Sequence, residues 1–322
     1  MSSETETVLD RRRLRHKLTL WRSLAVMLAV VAVGALVANN RGSLGLTEPA
    51  QIARVAIEGM ITEDREQLKM LKRIAEAKHV KGVVVFVNSP GGTTTGGEAL
   101  FESLRKISET KPVVAQFGTV AASAGYIVGL GTDYIVARGN TITGSVGVIM
   151  QWPEVSEMLA KLGVKMNEVK SGPLKASPSP FQPIDEPSRK VTQQMIMDGQ
   201  AWFLNLVKDR RGVITAEIGG LEQGRVFSGR EAQSLKLVDE IGGEAEAIRW
   251  LETKRNIKAG LKLVDWKPRR TSNWSLIGAD AGFVRWLVSS VVSELSTTIK
   301  QEAGFSDTSL DGLMSVWHPA KN

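Results

Sequence analysis

Gly82-Val83-Val84-Val85-Phe86-Val87-Asn88, followed at once by Ser89-Pro90-Gly91-Gly92, decides the fold. An apolar run of this length, rich in β-branched residues and without polar alternation, reads as a strand buried on both faces, the central strand of a parallel sheet. It ends in a glycine pair. Alone such a pair marks a tight turn, but glycine also lets backbone N–H groups turn toward a ligand with no Cβ in the way. That is what a site stabilising an oxyanion requires. The glycines continue through Gly96-Gly97 without the terminal Gly-Lys-Ser/Thr of a phosphate-binding loop.

Working outward, short β-rich runs alternate with helical stretches from Gln51 on, the pattern of an α/β domain. Residues 54–61 read as a strand and 62–78 as a helix with Leu68, Leu71 and Ala75 on one face. The next helix carries Leu100, Leu104 and Ile107 at helical spacing. A third strand is expected over 112–117, then a short helix over 123–130, a strand over 134–137, a helix over 154–162 and a strand over 164–169 ending at Lys170. A polar, proline-rich loop from Ser171 to Glu186 leads into a long helix from Pro187 to about Arg211, proline being suited to a first helical turn. The folded part closes with Gly224-Arg225-Val226-Phe227-Ser228-Gly229-Arg230-Glu231-Ala232, Leu237-Val238-Asp239-Glu240-Ile241-Gly242-Gly243 and a helix to about Thr253. Beyond Trp266-Lys267-Pro268-Arg269-Arg270, the residues Phe283, Trp286, Leu287, Val291, Leu295 and Ile299 form an amphipathic stripe suited to a neighbouring subunit, the membrane surface or the domain itself.

With 322 residues, 43% of them hydrophobic, the chain is long enough for a full core. It has no cysteine, which excludes disulfides, thiolate nucleophiles and cysteine metal sites. Residues 1–22 hold six basic against three acidic residues, a surplus of three within the chain's net +7. The remaining excess is mild and carries no aromatic-interleaved basic stripe, so nucleic acid is not expected as a partner. The basic cluster is followed by an apolar run from Leu24 to Ala38, and together they look like a signal anchor, with a cleaved signal peptide as the alternative. Because positive charge stays on the cytoplasmic side, everything after residue 40 is expected outside the cytoplasm.

Chemistry then has to come from oxygen and nitrogen groups. Ser123, between Ala122 and Ala124-Gly125, stands at the expected start of a short helix. A serine there can be a simple N-cap, but the same placement aims backbone N–H groups and the positive helix end at developing negative charge. Ala121 and Ala122 leave room for a substrate strand. A serine nucleophile needs a base. The chain has three histidines, His16, His79 and His318, none well placed to serve. A lysine can replace histidine if burial in an apolar cleft favours its neutral form, and Lys170 and Lys175, in Lys170-Ser171-Gly172-Pro173-Leu174-Lys175, are the local candidates.

The ordered set Asn88–Gly92, Ala121–Tyr126, Gly144-Ser145-Val146-Gly147 and Lys170–Lys175, with the later glycine-bounded segments, resembles the bacterial signal peptide peptidase A family in its short form, over about residues 52–265. The resemblance implies a ClpP/crotonase-like α/β fold with repeated β-β-α units, preceded by a single transmembrane helix. It implies Ser123 as nucleophile, Lys175 as base, Ser145 as the hydroxyl orienting the lysine, and the N–H groups of Gly92 and Ala124 as oxyanion donors, leaving Lys170 as a strand-end residue. It further implies peptide substrates (released signal peptides and other hydrophobic polypeptides), a homo-oligomeric ring, an inner-membrane location with the catalytic domain in the periplasm, and no metal or other cofactor. The expected division is a basic cytoplasmic N-terminus (1–22), an anchor (23–39), a linker (40–50), a peptidase domain (51–268) and a C-terminal tail (269–322). A crotonase-like acyl-CoA enzyme and an inactive membrane scaffold with a peptidase fold are the rival readings.

Overall fold

The computed structural model describes residues 48–269, with short stretches between 21 and 29 and at 314–316. Its centre is β2 (Val80–Thr93), whose alternate side chains explain the uninterrupted valines. Val83, Val85 and Val87 face one core, packed with β1 (Gln51–Ile61), α1 (Arg65–Glu76), α2 (Thr94–Ser108) and α3 (Ala124–Leu130). Val84 faces a second, smaller cluster with Ile52, Val114, Val136 and, from α7 (Glu244–Lys254), Ala247 and Leu251. Helices on both faces leave no solvent side for polar alternation at these positions.

The sheet places β1 and β3 (Val113–Ala122) parallel to β2 on either edge. Outside β1 lies β8 (Lys262–Trp266), also parallel. β3 serves two partners in succession. Its first half pairs with β4 (Tyr134–Ala137) and its end with β5 (Ile142–Gly144). β5 in turn pairs antiparallel with β6 (Val226–Ser228), and β7 (Glu240–Ile241) extends β4. β9 (Met314–Val316) adds antiparallel to the end of β2.

The remaining helices are α4 (Ser156–Lys161), α5 (Glu186–Arg211) and α6 (Gly229–Ser234). Helix ends follow local chemistry. Asp64 caps α1 by accepting from Glu66 N and Gln67 N at 2.8 and 3.2 Å, and Thr93 caps α2 through Gly96 N at 3.1 Å. At the other end of α1, the buried Lys111 ammonium donates to the carbonyls of Ile74, Ala75 and Ala77, closing helix groups that have no intrahelical partner. Burial lowers its affinity for the proton, with Lys81 adding repulsion.

Helix α3 is buried along its whole length. The carbonyls of Leu130, its last residue, and of Thr132 just beyond it accept from the Arg210 guanidinium, each at 2.9 Å, and Tyr126 donates its hydroxyl to Leu237 O at 2.8 Å. The helix is therefore held from α5 and from the segment after α6.

Several elements differ from expectation. β2 does not stop at Asn88 but runs through the glycines, because Met60 and Ile61 of β1 pair with Gly91 and Gly92. β3 extends to Ala122 because β5 takes over as its neighbour. Residues 164–169 form no strand: Val164, Met166 and Val169 are exposed, and no strand of the described structure lies beside them to complete a ladder. The expected helix over 154–162 shortens to Ser156–Lys161. Among the described residues no helix is long and apolar enough to cross a membrane, and most of the Leu24–Ala38 run and the whole 283–299 stripe lie outside them.

Candidate active site

The register of β3 and β5 builds the site. Ala122 is the last residue of β3 and Gly144 the last of β5, and the two pair directly. The next residue of each chain is a serine, so Ser123 and Ser145 stand side by side at adjacent strand ends. Both leave the strands with φ in the left-handed half of the map, 58° and 51°, a conformation that non-glycine residues adopt at an energetic cost of order 1–3 kcal/mol and that clusters at functional sites. Each kink is held by a backbone bond: Ser123 N–H donates to Gly144 O at 2.8 Å, and Ser145 N–H to Arg225 O at 2.9 Å.

Ser123 is fully buried and makes no capping bond to α3. The simple N-cap role therefore does not apply. Its carbonyl starts the helix, accepting from Tyr126 N at 2.9 Å and Ile127 N at 3.0 Å, so the strand turns into the helix at the serine itself. A serine on such a sharp strand-to-helix turn presents its hydroxyl at the C-terminal end of the sheet. Ser145 is 8% exposed.

Gly92 lies two pairs beyond the point where β2 leaves β3. The β2–β3 ladder ends at Ser89 opposite Ala121, while β1 follows β2 as far as Ile61 opposite Gly92. A Cβ on Gly92 would collide with the Ile61 carbonyl. Across from it, Gly97 of α2 packs against Ala124, where a Cβ would sit 3.3 Å from Ala124 Cβ. The turn of Gly91-Gly92 and the first residue of α3 are thereby brought to the same sheet end as Ser123.

Lys175 is not among the residues that the sheet register assembles. It is exposed on the 171–185 segment, outside any strand or helix, its backbone N–H donating to Gly172 O at 3.1 Å. Lys170 pairs with Glu168 at 2.7 Å. Among the described residues no group of three His, Asp or Glu side chains is arranged to hold a metal ion.

One feature of this sheet end had no signal in the sequence. β9 pairs Val316, Ser315 and Met314 with Gly91, Gly92 and Thr93. Since β1 holds the other edge of β2 at Gly91 and Gly92, β9 occupies the edge that β3 vacates as it turns into Ser123. Met-Ser-Val is too short to show a period, and only the open edge makes a strand of it.

The S49 peptidase family profile matches residues 105–258, and the Clp protease profile matches residues 52–138. A Synechocystis protein provisionally named a protease is 34% identical over 205 residues, 63% of this chain and 74% of that one. A protein of Enterococcus faecium provisionally named signal peptide peptidase SppA is 32% identical over 273 residues, 80% and 79% of the two chains. Protease 4 of Haemophilus influenzae is 34% identical over 262 residues, 74% of this chain and 42% of that longer one. With a ClpP-like sheet ending in a strained, buried serine, and with relatives of this similarity along most of its length, the chain belongs to the S49 family of serine peptidases, of the signal peptide peptidase A type.

Proposed function

We propose that the protein is a membrane-anchored endopeptidase that cleaves hydrophobic polypeptides, released signal peptides among them, through a Ser123–Lys175 dyad. The observation that carries this reading is the antiparallel pairing of an extended segment, Met314–Val316, on Gly91–Thr93. An edge that accepts one strand by main-chain hydrogen bonding can accept a substrate strand in the same manner. It runs beside the buried Ser123.

In this reading Ser123 Oγ attacks the scissile carbonyl while Lys175 Nζ takes its proton. The N–H groups of Gly92 and Ala124 stabilise the tetrahedral oxyanion. The C–N bond breaks, Lys175 returns the proton to the leaving amine, and water releases the acyl group from Ser123 by the same route. Ser145, beside Ser123, accepts from the amine and fixes its direction. An acyl-CoA enzyme would need glycine amides for an oxyanion but neither Ser123 nor the strand-accepting edge.

Lys175 is exposed in the single chain, whereas a lysine base works out of water. Ile149, Leu162, Met166, Leu174, Phe181 and Met195, all between residues 149 and 197, are exposed as well. Apolar exposure concentrated along one segment is characteristic of an interface. A second copy packed there would cover these residues and shut Lys175 away from solvent, which favours a homo-oligomeric ring as the active form. The anchor at 23–39 would keep residues 1–22 in the cytoplasm and the peptidase domain in the periplasm.

Turnover of a quenched hydrophobic peptide by the full chain in detergent, lost in Ser123→Ala, tests the reaction. Retained turnover in that variant rejects it. Light scattering tests assembly, a fully active monomer being the refuting result. Protease added to intact spheroplasts tests topology: the domain is degraded if it faces outward and protected until lysis if it does not.

A further inference from the structure

Ser89 is fully buried and makes both of its hydroxyl bonds to one neighbour. Its Oγ accepts from Gly91 N at 3.1 Å and donates to Gly91 O at 3.2 Å. It does this where both ladders of β2 slip in register. The β1–β2 register shifts between Glu58 and Met60, and the β2–β3 register shifts between Val87 and Ser89. The next residue, Pro90, has no N–H to offer a ladder. Gly91 then takes φ 121°, a conformation with little intrinsic preference for one direction in glycine. The two Ser89 bonds fix that turn from within β2, while β1 and β9 pair with the glycines from either side.

A second contact involves the same residue. The first turn of α3 rests on the Ser89 backbone, since a Cβ on Gly125 would lie 2.9 Å from Ser89 O. Asn88 completes the repair of the slipped ladder, its Oδ1 accepting from Thr119 N at 3.1 Å and Val120 N at 3.3 Å. Both proposed oxyanion donors are thus referenced to one point: Gly92 through the hydroxyl clamp on Gly91, and Ala124 through the helix turn seated on Ser89.

We propose that Ser89 is a positioning residue for the oxyanion hole, its hydroxyl fixing the Gly91 turn so that the Gly92 N–H points at the tetrahedral oxygen. This rests on the reading of Gly92 as an oxyanion donor. Ser89 itself touches no reacting atom. A donor that swings away weakens the transition state more than the bound substrate, so the effect falls on kcat.

The test compares full-length parent, Ser123→Ala, Ser89→Ala and Ser89→Cys, the cysteine variant keeping the volume with a weaker hydrogen bond. Ser89→Ala is expected to lower kcat by about tenfold or more, short of the ~10²–10³ for outright loss of a donor, with KM within about twofold and the pH of half-maximal rate unmoved. Binding of a peptide boronate, which forms a tetrahedral adduct on the nucleophile, should weaken by the same factor as kcat. Ser89→Cys should fall between parent and Ser89→Ala. Parent-like kcat in folded Ser89→Ala, with Ser123→Ala inactive, overturns the role of Ser89 alone. Activity in Ser123→Ala overturns the peptidase reading instead. Should Ser89→Ala fail to fold, Ser89→Cys decides: lowered kcat at unchanged KM supports the clamp, and parent kcat assigns Ser89 to packing and rejects it.

Discussion

The N–H of Ser123 donates to the carbonyl of Gly144 at 2.8 Å, continuing the ladder in which Ala122 faces Gly144. One bond therefore joins the candidate nucleophile to the residue immediately before Ser145. Any change that moves the end of β5 moves both serines.

Gly144 has φ +84°, and a Cβ there would come within 2.6 Å of Phe227 Cδ2 and 3.0 Å of Arg225 O. Gly144→Ala is expected to destabilise the domain by at least the ~1–3 kcal/mol of a disfavoured backbone conformation and to abolish most turnover by displacing Ser123 and Ser145 together. Thermal melting and peptide hydrolysis on the same preparation check this. Unchanged melting with full activity would show that β5 tolerates the added methyl group.

Gly92→Ala meets the Ile61 carbonyl, a backbone atom that cannot step aside without opening the β1–β2 ladder. Turnover should fall by about 10²–10³, the loss associated with one oxyanion donor. A variant that kept the parent rate would remove Gly92 from the site.

The two lysines separate cleanly. Lys175→Arg keeps a positive charge on a group that does not deprotonate in proteins, so loss of the general base should lower the rate by about 10²–10⁴ at every pH tested. Lys170 is engaged by Glu168 at 2.7 Å, an ion pair that arginine can also make, and Lys170→Arg should retain activity. The reverse pattern would exchange their roles.

Asp185 caps α5 by accepting from Ser188 N at 2.8 Å. Hydrogen bonding from Ser188 holds the Asp185 carboxyl below its ordinary 3.8. A depressed carboxylate contributes stability that is complete above the ordinary value and is lost as pH falls through the lower folded one. The first turn of α5, which ends the loop bearing Lys175, should lose amide protection below about pH 4, whereas Asp185→Asn, a neutral cap, should flatten that dependence. Equal acid sensitivity in both proteins would place the titrating group elsewhere.

How much was legible in the chain follows from the range of the interactions involved. The valines of 83–87 declare a strand covered on both faces because burial acts on each side chain locally. Leu100, Leu104 and Ile107 of α2 declare a helix for the same reason, and all are buried as their spacing predicts. Ser123 and Gly92 stand in short motifs whose residue types are demanded by local backbone chemistry, and the family resemblance named them. The sequence has no period that could announce β5, β6, β8 or β9: these strands exist because a neighbour's open edge is present. The expected strand at 164–169 is the converse case, apolar residues alternating with polar ones but with no sheet edge beside them among the described residues. Only the tertiary register brought Ser145 next to Ser123, seated the first turn of α3 on the Ser89 backbone and left Lys175 off the sheet end they share. Each depends on groups distant in sequence becoming adjacent, which local propensity does not encode.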